Sequence, residues 1–389
     1  MRVLQVVEPG RDGVFRSVET LVFHLCKSCI EVDLAYSDKR GSDRLHSLVS
    51  KLEHHHGGKT LNLRISNTPG FSDLPAFLRL VKMARSRNYD LIHCHSSKAG
   101  VLGRLLSRLL QIPCFYTPNA YYGMGANSRA ITWLFNAIER FFVSWGHTIH
   151  VSPEEADFGI RILGVKENRQ HLIPNSVDLS LFRKSTPPEK AKWRSSLGLP
   201  EDALVLGTSG RFSPQKDPLT LYQAFLQCAG DYPNLYLAHL GTGELERSCY
   251  DLINSRGLAK RLIRIPYLQD TSTFYRGIDA FALTSRYEGL SFAVLEALAS
   301  DLPIILSEAP GNRFFSTLGL SHFATAPVGD VHAFSMRIRD WLTALNCERS
   351  SNNRELAEKH FAPEKCYDRI LGLYRNAVSR PSAGTFKNA

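Results

Sequence analysis

Two loops in the second half of the chain carry charged side chains where a ligand with phosphate groups could bind. In SGRFSPQKDP, Arg211 follows a β-rich run, and Lys216 stands just before Asp217 and Pro218, a typical helix start. Cations beside the unpaired amides of a helix N-terminus attract anions. We therefore predict that Gly210, Arg211 and Lys216 bind phosphate groups. The alternative is a pair of solvated surface cations.

The second of these loops, in RYEGLSFAVLEALAS, combines carboxylates with a helix start. Gly289 lets the backbone approach a ligand, and the amides from Gly289 through Leu290 to Ser291 open an apolar helix. Glu296 lies inside that helix, where an unpaired charge costs several kcal/mol, and Glu288 precedes it by eight positions. We predict that both carboxylates bind hydroxyl groups of one ligand. The alternatives are a structural salt bridge and a solvated loop residue.

Two further turns in the second half of the chain belong to the predicted ligand site. The GTGE turn at Gly241 follows LYLAHL, and Tyr267 and Leu268 follow LIRIP. GTGE lacks the third glycine of a dinucleotide fingerprint, which argues against a nicotinamide or flavin site. Backbone groups near 266–269 are candidates for contacts with a nucleotide base. A nucleoside diphosphate sugar carries both the phosphates and the hydroxyl groups that these loops suit.

Short apolar runs alternate with helical patterns along the whole chain, which indicates parallel sheets covered on both faces. The strand candidates of the first half lie at 2–7, 32–37, 61–66, 89–96, 114–119 and 148–153, and its clearest helices lie at 74–88, 98–110 and 128–145. A second series of strands comprises ALVLGTSGR, LYLAHLG, LIRIPYL, DAFALTS and LPIILSE.

The series restarts after a zone rich in proline and glycine between Ile173 and Pro200. We predict an α/β protein with two doubly wound domains that face each other across a cleft, since such folds bind ligands beyond the carboxyl ends of their strands. The domains span 1–178 and 179–360. Residues 361–389 form a helix that returns to the first domain and then a disordered tail.

The charge distribution and the composition limit the kinds of partner that the chain can bind. The net charge is +10, and 75–111 holds seven cations against the single anion Asp90. This segment is either a solvated helix face or a patch for anionic membranes. The aromatic segment 128–145 is predicted to be a core helix, with a surface for a lipid chain as the alternative. The basic segment lacks interleaved aromatics, which argues against nucleic acid.

Cysteine spacing and hydropathy exclude other classes. The eight cysteines are scattered, and CKSC at 26–29 has no partner pair for zinc. No apolar run reaches the ~20 residues of a membrane span, and the N-terminal run is too short for a secretory signal. We therefore expect a cytoplasmic protein, at most peripheral on the inner face of the cell membrane.

These motifs together resemble those of retaining glycosyltransferase family 4, whose members have the GT-B fold. Glu288 and Glu296 in RYEGLSFAVLEALASDLPII resemble the family's E-x7-E motif, and GRFSPQKD resembles its G-R-x(4)-K loop. IPNSVD is similar to the interdomain I-P-N-G-V-D. HCHSSKAGVLGRLLSR at 93–108 is similar to a segment of bacterial members that assemble polysaccharide or lipopolysaccharide. The resemblance covers nearly the whole chain.

The resemblance implies roles for particular residues. Arg211 and Lys216 would bind the donor diphosphate and stabilise the leaving group, and Glu288 would contact the transferred sugar. Glu296 would hold the ribose hydroxyls. No metal or other cofactor is implied. Two positions depart from the family pattern: the N-terminal loop PGRDGVFRSVE has only Gly13 placed like the family's glycines, and Asn119 stands where members carry a histidine that touches the donor sugar.

The expected activity is transfer of a sugar from a nucleotide diphosphate sugar to a hydroxyl of a glycan or polyprenyl-diphosphate-linked acceptor. UDP-sugars are favoured, and GDP-sugars are allowed. One alternative is a nucleotide-sugar 2-epimerase of the same fold. The other is a non-catalytic scaffold subunit that binds nucleotide sugars, which the asparagine at 119 keeps open because an amide cannot shuttle a proton.

Overall fold

The strands of the described chain pair in parallel, in two separate sheets. The computed structural model describes residues 1–10, 12–39, 41–66, 70–125, 128–344 and 351–379. They form two units, Met1–Asn175 with the segment that begins at Pro363, and Ser176–Ala362. The boundaries predicted from the sequence lie after residues 178 and 360, within three residues of these. The predicted tail after residue 379 lies outside the described residues.

The first unit is built on a seven-stranded sheet. Its strands are β1 (Arg2–Val7), β2 (Glu31–Tyr36), β3 (Thr60–Asn62), β4 (Leu91–His95), β5 (Cys114–Thr117), β6 (His147–His150) and β7 (Gln170–Leu172). Its helices are α1 (Asp12–Lys27), α2 (Asp43–His55), α3 (Asp73–Arg87), α4 (Ser97–Leu110), α5 (Arg129–Phe142), α6 (Pro153–Phe158) and, from the end of the chain, α15 (Pro363–Ser379). The strand order β3-β2-β1-β4-β5-β6-β7 is Rossmann-like.

Each face of this sheet has its own apolar core. On β1, Val3 and Val7 pack with α1, α2 and α15, whereas Leu4 and Val6 pack with α3 and α4 on the other face. This division follows from the alternation of side chains along a strand. Because both faces are covered, β1 is apolar at nearly every position. The Tyr374 hydroxyl of α15 lies 2.5 Å from Nδ1 of buried His93, which ties the end of the chain to the sheet.

The second unit is built on a six-stranded sheet in the order β10-β9-β8-β11-β12-β13. Its strands are β8 (Leu204–Ser209), β9 (Leu235–Leu240), β10 (Leu262–Ile265), β11 (Ala280–Leu283), β12 (Ile304–Ser307) and β13 (Phe323–Ala326). Its helices are α7 (Pro187–Ser196), α8 (Pro218–Ala229), α9 (Glu246–Asn254), α10 (Ser272–Gly277), α11 (Phe292–Ala299), α12 (Arg313–Ser316), α13 (Val331–Ala344) and α14 (Asn353–Phe361).

The edge strands β7 and β13 were not predicted. Their sequences, QHL and FATA, are too short and too polar to stand out as apolar runs. Both sit at an edge of their sheet, where only one neighbouring strand supports them. The other strands of both sheets are predicted by the sequence, and each lies within a few residues of its expected limits.

The prediction of a core helix at 128–145 is wrong. Only Glu139 and Phe142 of α5 are buried, while Trp133 and Phe141 are 67% and 65% exposed. Glu139 turns inward because Arg104 of α4 donates to it from Nη2 at 2.8 Å. Aromatic composition indicated burial, but this ion pair determines which face of the helix is inside.

Segment 75–111 is only in part a solvated basic face. Three of its cations are neutralised within the first unit: Arg87 pairs with Asp33, Lys98 with Asp73 and Arg104 with Glu139. The partners come from distant parts of the sequence, so counting charge within the segment could not reveal them. The other four cations, Arg79, Lys82, Arg85 and Arg108, remain exposed, and Arg79 donates to the carbonyl of Leu63 at 2.7 Å.

Candidate active site

Four neighbouring parallel strands of the second unit end at predicted site residues. Gly210 and Arg211 follow β8, Gly241 follows β9, Tyr267 and Leu268 follow β10, and Glu288 follows β11. The carboxyl ends of adjacent parallel strands share one edge of the sheet, which is where open α/β sheets bind ligands. The second unit therefore brings this part of the predicted set together.

The turns after β8 and β9 touch each other through glycine backbone. Gly241 has a φ of +143°, and a Cβ on it would lie 2.1 Å from the carbonyl oxygen of Gly210. The Gly210 N–H donates to the carbonyl of Leu240 at 3.0 Å. No side chain fits at 241, so the glycine of GTGE serves the close approach of these two turns.

His239 supports the same turn, although it is not among the site residues predicted from the sequence. Its ring stacks on Phe212 with centroids 3.6 Å apart, and its Nε2 donates to the carbonyl of Gly210 at 3.1 Å. Burial lowers the pKa of His239 to about 3, so the imidazole is neutral. The Tyr222 hydroxyl lies 3.3 Å from Nδ1. A histidine within the predicted strand LYLAHL was the available signal.

Lys216 and Glu288 form a short ion pair between the loops after β8 and β11. Lys216 Nζ lies 2.5 Å from Glu288 Oε1, and the same oxygen accepts a 2.6 Å hydrogen bond from the hydroxyl of Ser285. The two side chains are 18% and 8% exposed. Lys216, which is predicted to bind phosphate, and Glu288, which is predicted to contact the sugar, are thus paired with each other in this structure.

Gln215 joins the two loops a second time, through backbone groups. Its side-chain amide donates to the carbonyl of Tyr287 at 3.2 Å, and its own carbonyl accepts from the N–H of Arg286 at 2.8 Å. Its Oε1 accepts from Nη2 of Arg211 at 3.3 Å. Arg211 is exposed at the same place. Gln215 therefore connects Arg211 to the loop that carries Glu288, a role that the motif G-R-x(4)-K leaves unspecified.

The start of α11 is pressed against the loop that follows β12. Gly311 has a φ of +84°, and a Cβ there would lie 2.4 Å from the carbonyl oxygen of Glu288 and 2.6 Å from that of Gly289. The Glu288 N–H donates to the carbonyl of Pro310 at 2.9 Å. Gly311 thus positions the backbone from Glu288 to the N-cap of α11, Ser291. Leu290 between them is buried.

Glu296 lies in α11, as predicted from its apolar neighbours. It is 3% exposed and surrounded by the buried residues of this helix, which is apolar on the faces that pack in the second unit. It lies eight positions after Glu288, separated from it by the loop up to Ser291 and about one turn of α11.

Gly13 and Asn119 belong to the first unit, where each follows a strand. Gly13 lies in the first turn of α1, which follows β1. Asn119 follows β5 and has a φ of +56°, and its Nδ2 donates to the carbonyl of Thr117 at 3.4 Å. Within the described chain, its buried Oδ1 has no hydrogen-bond partner. An unused acceptor at the end of a central strand suits a ligand hydroxyl.

A buried carboxylate holds the loop at Asn119. Glu155 accepts from the N–H of Ala120 at 2.5 Å and from the N–H of Val151 at 2.7 Å. Ala120 also has a positive φ, of +83°, an unfavourable conformation for residues with a Cβ. Burial raises the pKa of Glu155 to about 7, against the effect of these amide donors. Glu155 is a second residue that sequence reasoning missed.

Within the described ranges, no group of three or more histidine, cysteine, aspartate or glutamate side chains is placed to hold a metal ion. The arrangement supplies cations and backbone amides for an anion and carboxylates for hydroxyl groups.

Comparison with known proteins agrees with this chemistry. Residues 189–359 match the profile of glycosyl transferases group 1, and residues 11–181 match that of glycosyltransferase family 4. The Escherichia coli UDP-Gal:alpha-D-GlcNAc-diphosphoundecaprenol alpha-1,3-galactosyltransferase is 30% identical over 314 residues, which cover 79% of this chain and 80% of the relative.

Solved structures share the fold at lower identity. Sucrose-phosphate synthase from Thermosynechococcus elongatus has a TM-score of 0.83 at 21% identity, and the match covers 97% of this chain and 100% of that one. HepE from Anabaena, solved in complex with UDP, has a TM-score of 0.78 at 20% identity with the same coverage. HepE has also been solved with UDP-glucose.

Two Rossmann-like units with this likeness to the solved structures have the GT-B fold. The chain belongs to glycosyltransferase family 4. The resemblance, the fold class and the expectation of a transferase are confirmed.

Proposed function

We propose that this enzyme transfers a sugar from a nucleotide diphosphate sugar to a hydroxyl of a glycan or polyprenyl-diphosphate-linked acceptor, with retention at the anomeric carbon. The observation that carries the proposal is the cluster of Arg211, Lys216 and Glu288 at the carboxyl ends of β8 and β11. It joins an anion site to a carboxylate that suits sugar hydroxyls.

The donor diphosphate would exchange partners with the Lys216–Glu288 pair. When phosphate oxygens reach Lys216, its ammonium can bind them, and the Glu288 carboxylate then has an oxygen available for a sugar hydroxyl. Arg211 and the amides from Gly289 to Ser291 would add to the positive potential. These groups stabilise the charge that develops on the leaving diphosphate, a task that a divalent ion performs in other enzymes. We therefore propose that no metal is required.

The remaining predicted residues would bind the rest of the donor. Glu296 would accept hydrogen bonds from the ribose hydroxyls, and the backbone at Tyr267 and Leu268 would contact the base. Gly241 would allow the approach of the β8 turn. In the first unit, Asn119 Oδ1 would accept from a sugar hydroxyl, and Gly13 would contact the donor through its backbone.

Retention can proceed on one face of the sugar. The acceptor oxygen bonds to the anomeric carbon as the bond from that carbon to the phosphate oxygen breaks, and the acceptor proton passes to the leaving phosphate. This route needs no protein nucleophile. It places the whole demand on stabilisation of the diphosphate, which is the chemistry that Arg211 and Lys216 offer.

The relatives guide the choice of substrates. The Escherichia coli relative is named for a UDP-galactose donor and a diphosphoundecaprenol-linked acceptor, and HepE has been solved with UDP and UDP-glucose. We therefore favour a UDP-sugar, with a GDP-sugar second, and an acceptor used in assembly of surface polysaccharide or lipopolysaccharide.

A lipid-linked acceptor implies contact with a membrane. No helix in the described ranges is long and apolar enough to cross one. We propose peripheral binding to the inner face of the cell membrane through the exposed cations of segment 75–111, Lys82, Arg85 and Arg108. Nucleic acid is not part of this proposal.

The test is a panel of UDP-, GDP- and dTDP-sugars in thermal-shift measurements, followed by product analysis with the best stabiliser. We expect a UDP-sugar to raise the melting temperature in the presence of a chelator and to yield a product of unchanged anomeric configuration. Interconversion of donor sugars without an acceptor would identify an epimerase. Binding of a donor with no turnover on any lipid-linked acceptor would identify a scaffold.

A further inference from the structure

Helix α5 turns an apolar strip to solvent. Trp133, Leu134 and Phe141 are 67%, 51% and 65% exposed. At about 100° per residue these side chains project within one arc of about 100°, with Ala130 and Ala137 between them. Scattered surface apolar residues need no explanation, but a continuous strip on one helix marks a contact surface.

A buried polar network maintains this orientation. Glu139, 6% exposed, accepts from Arg104 Nη2 and from the Tyr116 hydroxyl, each at 2.8 Å. The Arg104 guanidinium lies 4.2 Å from the centre of the Tyr116 ring. Removing an ion pair from water costs free energy, and burying Trp133 instead would be favourable. The helix is therefore held with its apolar side outward at a cost in stability, which a partner for that side would offset.

Cations line one edge of the strip. Arg129 and Arg140 project within about 20° of each other, next to Trp133. A groove of about 430 Å³ opens beside them, lined by Gly125, Arg129, Thr132, Trp133, Asn136 and Arg140. Two guanidinium groups, an amide and a hydroxyl can donate hydrogen bonds to phosphate oxygens, while the indole offers an apolar wall.

We propose that α5 lies in the interface of an anionic phospholipid bilayer. Trp133, Leu134 and Phe141 enter the acyl region, and Arg129 and Arg140 bind lipid phosphates in the groove. The helix has 14 residues and a length of about 21 Å, too short to cross the hydrocarbon core, so it lies along the surface.

The neighbouring helices are consistent with this orientation. α4 packs between α3 and α5 on the same face of the sheet. The exposed Lys82 and Arg85 of α3 and Arg108 of α4 therefore belong to the same helical layer. The electrostatic contact of segment 75–111 attracts the enzyme to the bilayer, whereas α5 supplies the apolar insertion. This inference concerns a site that donor binding does not require.

The test is partition of the full-length enzyme into vesicles of phosphatidylcholine with or without phosphatidylglycerol. We expect Trp133→Ser to lower the partition coefficient about tenfold on both compositions, since it removes a large inserted side chain. Arg129→Gln should lower it most on vesicles that contain phosphatidylglycerol, because the phosphate of phosphatidylcholine is offset by its own choline charge. Met336→Ser, which changes a side chain 44% exposed on the second unit, is the matched control and should bind like the wild type.

Two further measurements define the mode of binding. Brominated lipids should quench tryptophan fluorescence of the wild type and do so less in Trp133→Phe, which should still bind. About 0.5 M salt should weaken binding to anionic vesicles without abolishing it, because apolar insertion is not screened. Donor-induced thermal shifts should be equal in Trp133→Ser and wild type, which separates this inference from the transfer reaction.

Three results would overturn the inference. One is equal partition of Trp133→Ser and wild type. Another is loss of all binding at high salt, which would leave only an electrostatic contact. The third is a dimer of the wild type that Trp133→Ser converts to a monomer, which would show that a second copy of the chain covers the strip.

Discussion

Among single residues, Lys216 and Glu288 have two separable effects. Their ion pair satisfies two largely buried charges in the ligand-free structure, and we propose that the donor uses both groups. Breaking a buried pair from one side leaves an uncompensated charge, whereas neutralising both sides does not. Stability and activity should therefore respond differently to single and double substitutions.

Lys216→Met should lower the free energy of unfolding by about 2 kcal/mol, because it leaves Glu288 without its ammonium partner. The double variant Lys216→Met/Glu288→Gln should recover most of that stability but none of the transferase activity. Chemical denaturation and initial rates measure the two effects. If the double variant regained activity along with stability, the pair would be structural only.

At the scale of elements, the contact of Gly311 with the start of α11 sets the position of the proposed sugar and phosphate groups. Gly311→Ala should weaken donor binding about tenfold or more, because its Cβ would meet the carbonyls of Glu288 and Gly289 at 2.4 and 2.6 Å. Gly319→Ala is the matched control: Gly319 also has a positive φ, of +73°, but no atom lies within 4 Å of its Cβ position. Donor titration of both variants makes the comparison. Equal losses would attribute the effect to backbone strain alone.

Buried Glu155, which accepts a hydrogen bond from the loop after β5, makes the free energy of unfolding depend on pH. Burial raises the pKa of this carboxyl from 4.5 to about 7 in the folded chain, so the folded state binds the proton more tightly than the unfolded state. The contribution of Glu155 to the free energy of unfolding is fully present below about pH 4.5, and it falls by about 3 kcal/mol as pH rises to about 7.

Unfolding free energies of wild type and Glu155→Gln, measured from pH 5 to about 8, test this dependence. The difference between wild type and variant should fall as pH rises and become constant above about pH 7, because other titrating groups cancel. A difference that stays constant over the range, or rises with pH, would show that Glu155 is charged in the folded chain throughout.

Local patterns predicted some elements well and others badly for physical reasons. The β8 loop and α11 each come after a continuous apolar strand and begin with charged or small residues. Their type and position could therefore be predicted. The orientation of α5 could not, because its inward residue, Glu139, is chosen by Arg104 in another helix. The supports of the site, His239, Gln215 and Gly311, act through backbone carbonyls that only the folded chain brings close.

For the whole molecule, the parallel sheets of both units follow from strand–helix alternation, and the family assignment agrees with it, whereas the order of the strands comes from the structure. The chain does not follow its units in sequence, because α15 returns to the first unit and contributes Tyr367, Ile370 and Tyr374 to its core. The sequence predicts that this helix returns to the first domain, but not which side chains it packs against. Its packing on α1 depends on contacts far apart along the chain.

The central claim is that the loops after β8 and β11 hold the donor diphosphate through Lys216 and its neighbours without a metal ion. Calorimetric titration of UDP in the presence of a chelator tests it most directly. We predict that the wild type and Arg247→Ala, a substitution of a cation that is 93% exposed, bind UDP equally, and that Lys216→Met raises Kd about tenfold or more. Equal UDP affinity in Lys216→Met and wild type would contradict the account.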